Sequence, residues 1–367
     1  MATERTEVVV VTGASGGVGR AVAHAFAKRG ARIGLLARGQ RGLEGAREEC
    51  ESLGGRAIAI PTDVSDPGQV EAAAVRVEDE LGPIDVWVND AMATVFGEFL
   101  EISPEEYRRS TEVTYLGTVY GTMSALRRMV ARDRGTVVQV GSALAYRAIP
   151  LQAAYCGAKF GIRGFTDSVR TELLHRRSRA WITMVQLPAV NTPQFTWCRT
   201  KLPLQPMPVP PIYQPEVPAE TVYYAAHRRR REIYCGGSAV TTILGNKIAP
   251  WFGDRYLAGT GYSSQQMAGR PVEADRPDNL FQPVEEKAAT HGMFDEQASS
   301  VSYQVWATEH RPIVIGAAAG LGTALVAAAG IGGALVAGAV AVTARGRWRA
   351  GGRGRGAVDL QRWRPRS

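Results

Sequence analysis

The sequence predicts a doubly wound α/β domain, a parallel sheet with helices on both faces, across roughly its first two thirds. Three observations carry that expectation. Short runs are almost continuous in Val, Ile and Leu, as strands buried on both faces read. The stretches between them are long enough for crossover helices. A glycine-rich turn follows the first run directly. In chain order the strands are expected at Val8–Thr12, Arg32–Ala37, 57–61, Val86–Asn89, 136–140, Trp181–Leu187 and 233–234. The crossover helices are expected over 19–29, 67–81 and 104–132. Ser103-Pro104-Glu105-Glu106 reads as a capping box that starts one long helix.

Composition restricts the alternatives. Hydrophobic residues make up 45% and charged residues 21%, which excludes wholesale disorder. The net charge of +8 is concentrated in 344–367, where eight arginines stand against one acid, Asp359. The rest of the chain is close to neutral, so no nucleic-acid partner is implied. Cys50, Cys156, Cys198 and Cys235 form no CxxC pair and no disulfide framework, and read as thiols in a reducing compartment. The five histidines have no ligand spacing, so no metal is implied. The run from His227 to Arg231 reads as a solvated helix end. The N-terminus shows no signal-peptide pattern.

Thr12-Gly13-Ala14-Ser15-Gly16-Gly17-Val18-Gly19 joins an apolar strand to a helix. In that setting glycines let the backbone turn tightly, and a pyrophosphate sits against amides at the helix N-terminus. The next strand ends at Ala37-Arg38, where an acid would accept hydrogen bonds from the ribose 2′-hydroxyl of NAD(H). A guanidinium there pairs with a 2′-phosphate instead, which favours NADP(H) over NAD(H), with Arg41 as a weaker second contact. Asp63 and Val64 end the third strand and Asn89 the fourth, where open α/β sheets bind ligands. Ser142 follows the fifth strand, and Tyr155 and Lys159 share one face of the next helix at i and i+4. An ammonium beside a phenol favours the phenolate, so Tyr155 is expected to exchange protons near neutral pH.

These motifs resemble those of the short-chain dehydrogenase/reductase family over residues 6–240: TGASGGVG, Asp63-Val64, Asn89-Asp90-Ala91-Met92, Ser142, Tyr155-Cys156-Gly157-Ala158-Lys159, and Pro188 to Thr192. The resemblance implies a Rossmann-type fold and reversible alcohol/carbonyl conversion with a nicotinamide cofactor. It implies that Tyr155 is the acid/base, that Lys159 binds the nicotinamide ribose and tunes Tyr155, that Ser142 positions substrate, and that Thr192 contacts the carboxamide. The chain departs from the family at three places. NDAM stands for NNAG, Pro188-Ala189 for PG, and Thr114 where a relay asparagine is usual. Thr114 is expected to take a rearranged place in the proton relay.

Beyond the motifs, 193–218 is rich in proline and apolar side chains and is expected to form a substrate lid within a catalytic domain 1–260. Residues 261–312 read as a linker. Residues 313–342 carry no charge over 30 positions, and a helix of that length spans about 45 Å against a bilayer core of about 30 Å. Membrane insertion is expected, as a single crossing, a hairpin broken near Gly330, or a helix in one leaflet. Gly316 and Gly320 would allow close helix approach. The Arg-rich tail 343–367 would meet anionic lipid. The expected partners are a small lipophilic alcohol or carbonyl, membrane lipid and a second copy of the chain, with the catalytic domain at the membrane's cytoplasmic side. The alternative reading is a membrane-attached NADP(H)-binding redox sensor without turnover.

Overall fold

The computed structural model describes residues 6–311, and the chain through Glu309 forms one compact unit. Its centre is a seven-stranded parallel sheet: β1 (Val8–Thr12), β2 (Arg32–Ala37), β3 (Arg56–Pro61), β4 (Val86–Asn89), β5 (Thr136–Ser142), β6 (Trp181–Leu187) and β7 (Glu232–Tyr234). The spatial order is β7-β6-β5-β4-β1-β2-β3, so the chain reverses direction across the sheet between β1 and β4. The helices α1 (Gly17–Ala27), α2 (Gln40–Ser52), α3 (Pro67–Leu81), α4 (Pro104–Thr111), α5 (Gly117–Ala131), α6 (Ala153–His175) and α7 (Glu216–Ala226) cover the two faces.

The strand pattern explains the layering. Successive side chains of β1 point to opposite faces. Val9 and Val11 join Phe26, Ile33, Leu35 and Val222 in one apolar layer. Val8 and Val10 join Leu36, Val77, Trp87 and Met129 in the other. Both faces are dry, which is why the run has no polar alternation.

The capping box holds. Ser103 Oγ accepts from the Glu106 amide at 3.3 Å, and the Glu106 carboxylate accepts from the Ser103 amide at 3.0 Å. The long helix expected after it runs without a break from Pro104 to Ala131, with one turn over Glu112–Leu116 widened to π geometry between α4 and α5. That turn carries Thr114, whose hydroxyl donates to the Ala93 carbonyl at 2.8 Å and accepts from the Ala93 amide at 3.0 Å. Such widened turns often mark functional regions.

The linker expected over 261–312 is corrected. Gln266–Pro271 pairs antiparallel with Leu204–Pro206, and Ala298–Ser299 pairs with Ile212–Tyr213. Leu280 and Phe294 are fully buried. These isolated apolar anchors between polar residues show no period, yet they fasten the segment to the domain, which therefore extends past 260 to Glu309. Among the described residues no helix is long and apolar enough to cross a membrane. The segment 313–342 and the basic tail lie outside the described residues.

Asn89, expected at the cofactor, is instead a brace inside the sheet. Its Oδ1 accepts from Trp87 Nε1 at 2.8 Å, and its Nδ2 donates to Thr122 Oγ1 at 3.1 Å and to Gln139 Oε1 at 2.9 Å. All four side chains are buried. Asn89→Ala would strand the Trp87 N–H at about 1–3 kcal/mol. A fall in melting temperature of about 3–10 °C is expected, and an unchanged thermal melt would remove this bracing role.

Candidate active site

The glycine turn is built by close approach. Gly13 has φ +74, and a Cβ there would come within 2.9 Å of Ala91 Cα. A Cβ on Gly19 would lie 2.5 Å from the Gly13 carbonyl oxygen. Thr12 Oγ1 accepts from the Asp90 and Ala91 amides at 3.0 and 3.1 Å, tying the end of β1 to the end of β4. Gly13, Ser15, Gly16, Gly17 and Val18 then line a cleft of about 920 Å³, and Gly19 supports it from below. The same cleft holds Ser142, Tyr155, Lys159, Arg38, Asp63, Val64 and Thr192. Asn89 and Thr114 are not among its lining residues. The turn at the start of α1, the cleft's size and the Tyr155–Lys159 floor fit a dinucleotide. The Gly17 amide already has a partner, the Ala289 carbonyl at 2.9 Å.

Tyr155 and Lys159 lie one turn apart on α6 and face the end of β5. The Ser142 hydroxyl accepts from the Leu144 amide at 3.1 Å and lies close enough to the Tyr155 phenol to favour its ionised form. Lys159 is buried; its Nζ donates to the Val140 carbonyl at 2.6 Å and sits 5.6 Å from the centroid of the Tyr155 ring. The expectation of a lowered phenol pKa is corrected for the protein alone. Burial pushes Tyr155 above its ordinary value, the Ser142 hydroxyl opposes this only in part, and the Asp90 charge adds to the rise. Burial also lowers Lys159, which weakens its support for the phenolate and leaves desolvation to dominate.

Asp90 is the residue the sequence reading undervalued. Burial raises its carboxyl, and the Lys159 charge pulls it back. Burial lowers Lys159, and Asp90 pulls it upward. The two charges act on each other beside the phenol, Lys159 buried and Asp90 partly so. The signal was present as aspartate in NDAM, but nothing local said which way its side chain points. Thr114 was expected in the relay. Both hydrogen-bonding capacities of its hydroxyl named above are used on the Ala93 peptide, so it holds the loop after β4 in place.

Asp63 lies at the cleft with its carboxylate committed. Arg109 Nη2 donates to it at 2.5 Å, and the Ser65 amide and hydroxyl donate at 3.0 and 2.7 Å. Burial would raise this carboxyl, but these partners outweigh it and hold it below the usual range. Arg38 donates to the carbonyls of Leu280 at 3.2 Å, Phe281 at 3.1 Å and Asn279. Arg41 is exposed, 3.9 Å from Glu286. The proline-rich stretch forms a wall of the cleft through Phe195, Trp197, Met207 and Val209. Pro218, in its last part, sits in the first turn of α7.

Comparison with known proteins agrees with this geometry. The short chain dehydrogenase family matches residues 7–201. The uncharacterized oxidoreductase YxnA of Bacillus subtilis is 32% identical over 323 residues, covering 85% of this chain and 88% of its own. The 3-dehydrosphinganine reductase of Danio rerio is 32% identical over 202 residues, covering 54% of this chain; the match spans 60% of that protein's length. An alcohol dehydrogenase from the archaeon Thermococcus sibiricus, solved with 5-hydroxy-NADP, superposes with a TM-score of 0.54 at 26% identity, covering 62% of this chain and 95% of its own. The chain belongs to the short-chain dehydrogenase/reductase family. It is thus an oxidoreductase of the class that acts on CH–OH groups with a nicotinamide cofactor.

The raised phenol can be read directly. An ultraviolet titration of cofactor-free protein, taken as the difference between wild type and Tyr155→Phe, is expected to show no Tyr155 phenolate at pH about 10, where a free tyrosine is half ionised. The sign follows from burial, which disfavours the charged form. Half-ionisation below pH about 10 would contradict it.

Proposed function

We propose that the protein interconverts an alcohol and a carbonyl on a lipophilic substrate with NADP(H), using Tyr155 as acid/base. The observation that carries this is that Ser142, Tyr155 and Lys159 line one cleft with a glycine turn that fits a dinucleotide. The bound nicotinamide supplies or accepts the hydride. A substrate oxygen between the Ser142 and Tyr155 hydroxyls accepts hydrogen bonds from both. In the reductive direction Tyr155 gives its proton to that oxygen, and its raised pKa keeps the proton in place until then. Lys159, which is buried, and Asp90, which is partly exposed, provide a proton-binding pair next to it.

The preference for NADP(H) rests on Arg38 at the end of β2, and the NADP derivative in the archaeal enzyme is consistent with it. The lipophilic substrate rests on the wall opposite the glycine turn, where Leu144, Ile149, Phe195, Met207, Val209 and Phe252 line the cleft. The name of the Danio rerio relative, a reductase of a sphingoid ketone, points the same way. Membrane association is supported by α8 (Gly237–Ile248) and α9 (Pro250–Thr260), which expose Leu244, Ile248, Trp251, Phe252 and Tyr256 beside Lys247 and Arg255. Aromatic and cationic side chains in that mixture suit a membrane–water interface.

Purified protein is expected to oxidise NADPH with long-chain ketones or aldehydes. Tyr155→Phe should lower kcat by about 10²–10⁴-fold, while NADPH affinity, read by fluorescence, stays within about twofold of wild type. Cofactor binding with no turnover of any carbonyl or alcohol in a broad panel would favour the sensor reading over the enzyme. Full-length protein is expected to pellet with membranes and resist carbonate extraction; recovery in the supernatant would remove the membrane assignment.

A further inference from the structure

The C-terminal segment 278–292 crosses the cofactor end of the cleft and brings a second charged group to it. Asn279 donates its amide to the Trp197 carbonyl at 2.8 Å. Arg38 and Arg109 hold the following carbonyls, the latter through Nε to Leu280 at 3.2 Å. Arg20 Nη1 donates to the Ala288 carbonyl at 3.3 Å, and the Gly17 amide donates to Ala289. Between these anchors Asn279, Pro283, Val284, Glu285 and Ala288 face the cleft. The Glu285 carboxylate accepts from the Gly42 amide at 3.3 Å, inside the first turn of α2. A Cβ built on Gly39 would lie 3.0 Å from the same carboxylate.

The end of β2 and the start of α2 are where this fold reads the 2′ position of the adenosine ribose. An acid there accepts from a 2′-hydroxyl, and an arginine pairs with a 2′-phosphate. The strand itself supplies only Arg38. The acid comes from 247 residues further along the chain, as Glu285. Arg38 reaches the carbonyls of 279–281 and Glu285 the Gly42 amide, so both charges line this end of the cleft, and they ask for opposite cofactors. A 2′-phosphate carries about −1.5 to −2 charges near neutral pH and would meet the carboxylate across the same turn. It would also compete with that carboxylate for the helix-start amide. Arg38 donates three hydrogen bonds to the segment's carbonyls, leaving two of a guanidinium's five donors for a phosphate.

We propose that Glu285 is a specificity-determining residue that opposes the 2′-phosphate at the site where Arg38 favours it. The C-terminal segment thereby narrows the preference for NADP(H) over NAD(H) that Arg38 alone would set. This rests on the cofactor reading above, and its failure is separable from that reading's failure.

The test is equilibrium binding of NADPH and NADH to full-length protein, followed by nucleotide fluorescence. Glu285→Gln keeps the hydrogen bond to Gly42 and removes the charge. It is expected to tighten NADPH by about fivefold or more, the scale of one like-charge contact near a surface, and to leave or weaken NADH. Glu273→Gln, which removes an exposed charge away from the cleft lining, should leave the ratio of the two affinities near wild type. Equal shifts for both cofactors in Glu285→Gln, no shift, or the same shift in Glu273→Gln would overturn the proposal. Arg38→Ala tests the underlying reading independently. It should weaken NADPH selectively, and if it weakens both cofactors alike the Arg38 assignment fails whatever Glu285 does.

Discussion

The ends of β1 and β4 are stitched together by a single threonine hydroxyl, and the site depends on that seam. Thr12 Oγ1 takes the two amides that begin the loop after β4, while Gly13 and Gly19 leave room for the loop and for α1 to close. This is the point where strand order reverses, so the sheet opens a crevice there. Everything that lines the crevice is positioned from the seam outward. Asn89 locks β4 to β5 and α5 through Gln139 and Thr122. Thr114 locks the loop after β4 to the π-widened turn. The seam also fixes Asp90, which is set against Lys159 and through it against the phenol.

Burial decides the electrostatics of that floor. A lysine at i+4 from a tyrosine reads, in sequence, as a charge held against a phenol. In the folded chain its ammonium is satisfied by the Val140 carbonyl, and the phenol feels desolvation first. The resting protein therefore holds its proton on Tyr155, the form a carbonyl needs to meet.

The fold was legible because its strands are apolar on both faces and its turns carry their own chemistry. β1, β2, β4 and β6 have the bounds that their apolar runs predict. The capping box placed the start of α4 to the residue. Ser142, Tyr155 and Lys159 were legible because a single spacing on one helix and one strand end brings them together. What escaped was set by contacts distant in sequence. Asn89 and Thr114 look like site residues from their position, but Thr122 and Gln139 claim the Asn89 amide and the Ala93 peptide claims the Thr114 hydroxyl. The course of 278–292 rests on Leu280, Phe294 and three arginines elsewhere in the chain, and no local pattern announces it.

Three arginines grip that segment by peptide carbonyls alone, while Arg199 takes the Asp278 carboxylate at its start. Arg20, Arg38 and Arg109 would hold any sequence of similar shape, because a main-chain oxygen is the same on almost every residue. Placement and content are therefore decoupled along this stretch. The strap can drift at its cleft-facing positions without losing its moorings, and residue 285 is one substitution away from being neutral or basic. Cofactor choice in such a protein can evolve at the far end of the chain, leaving the glycine turn and the catalytic floor untouched.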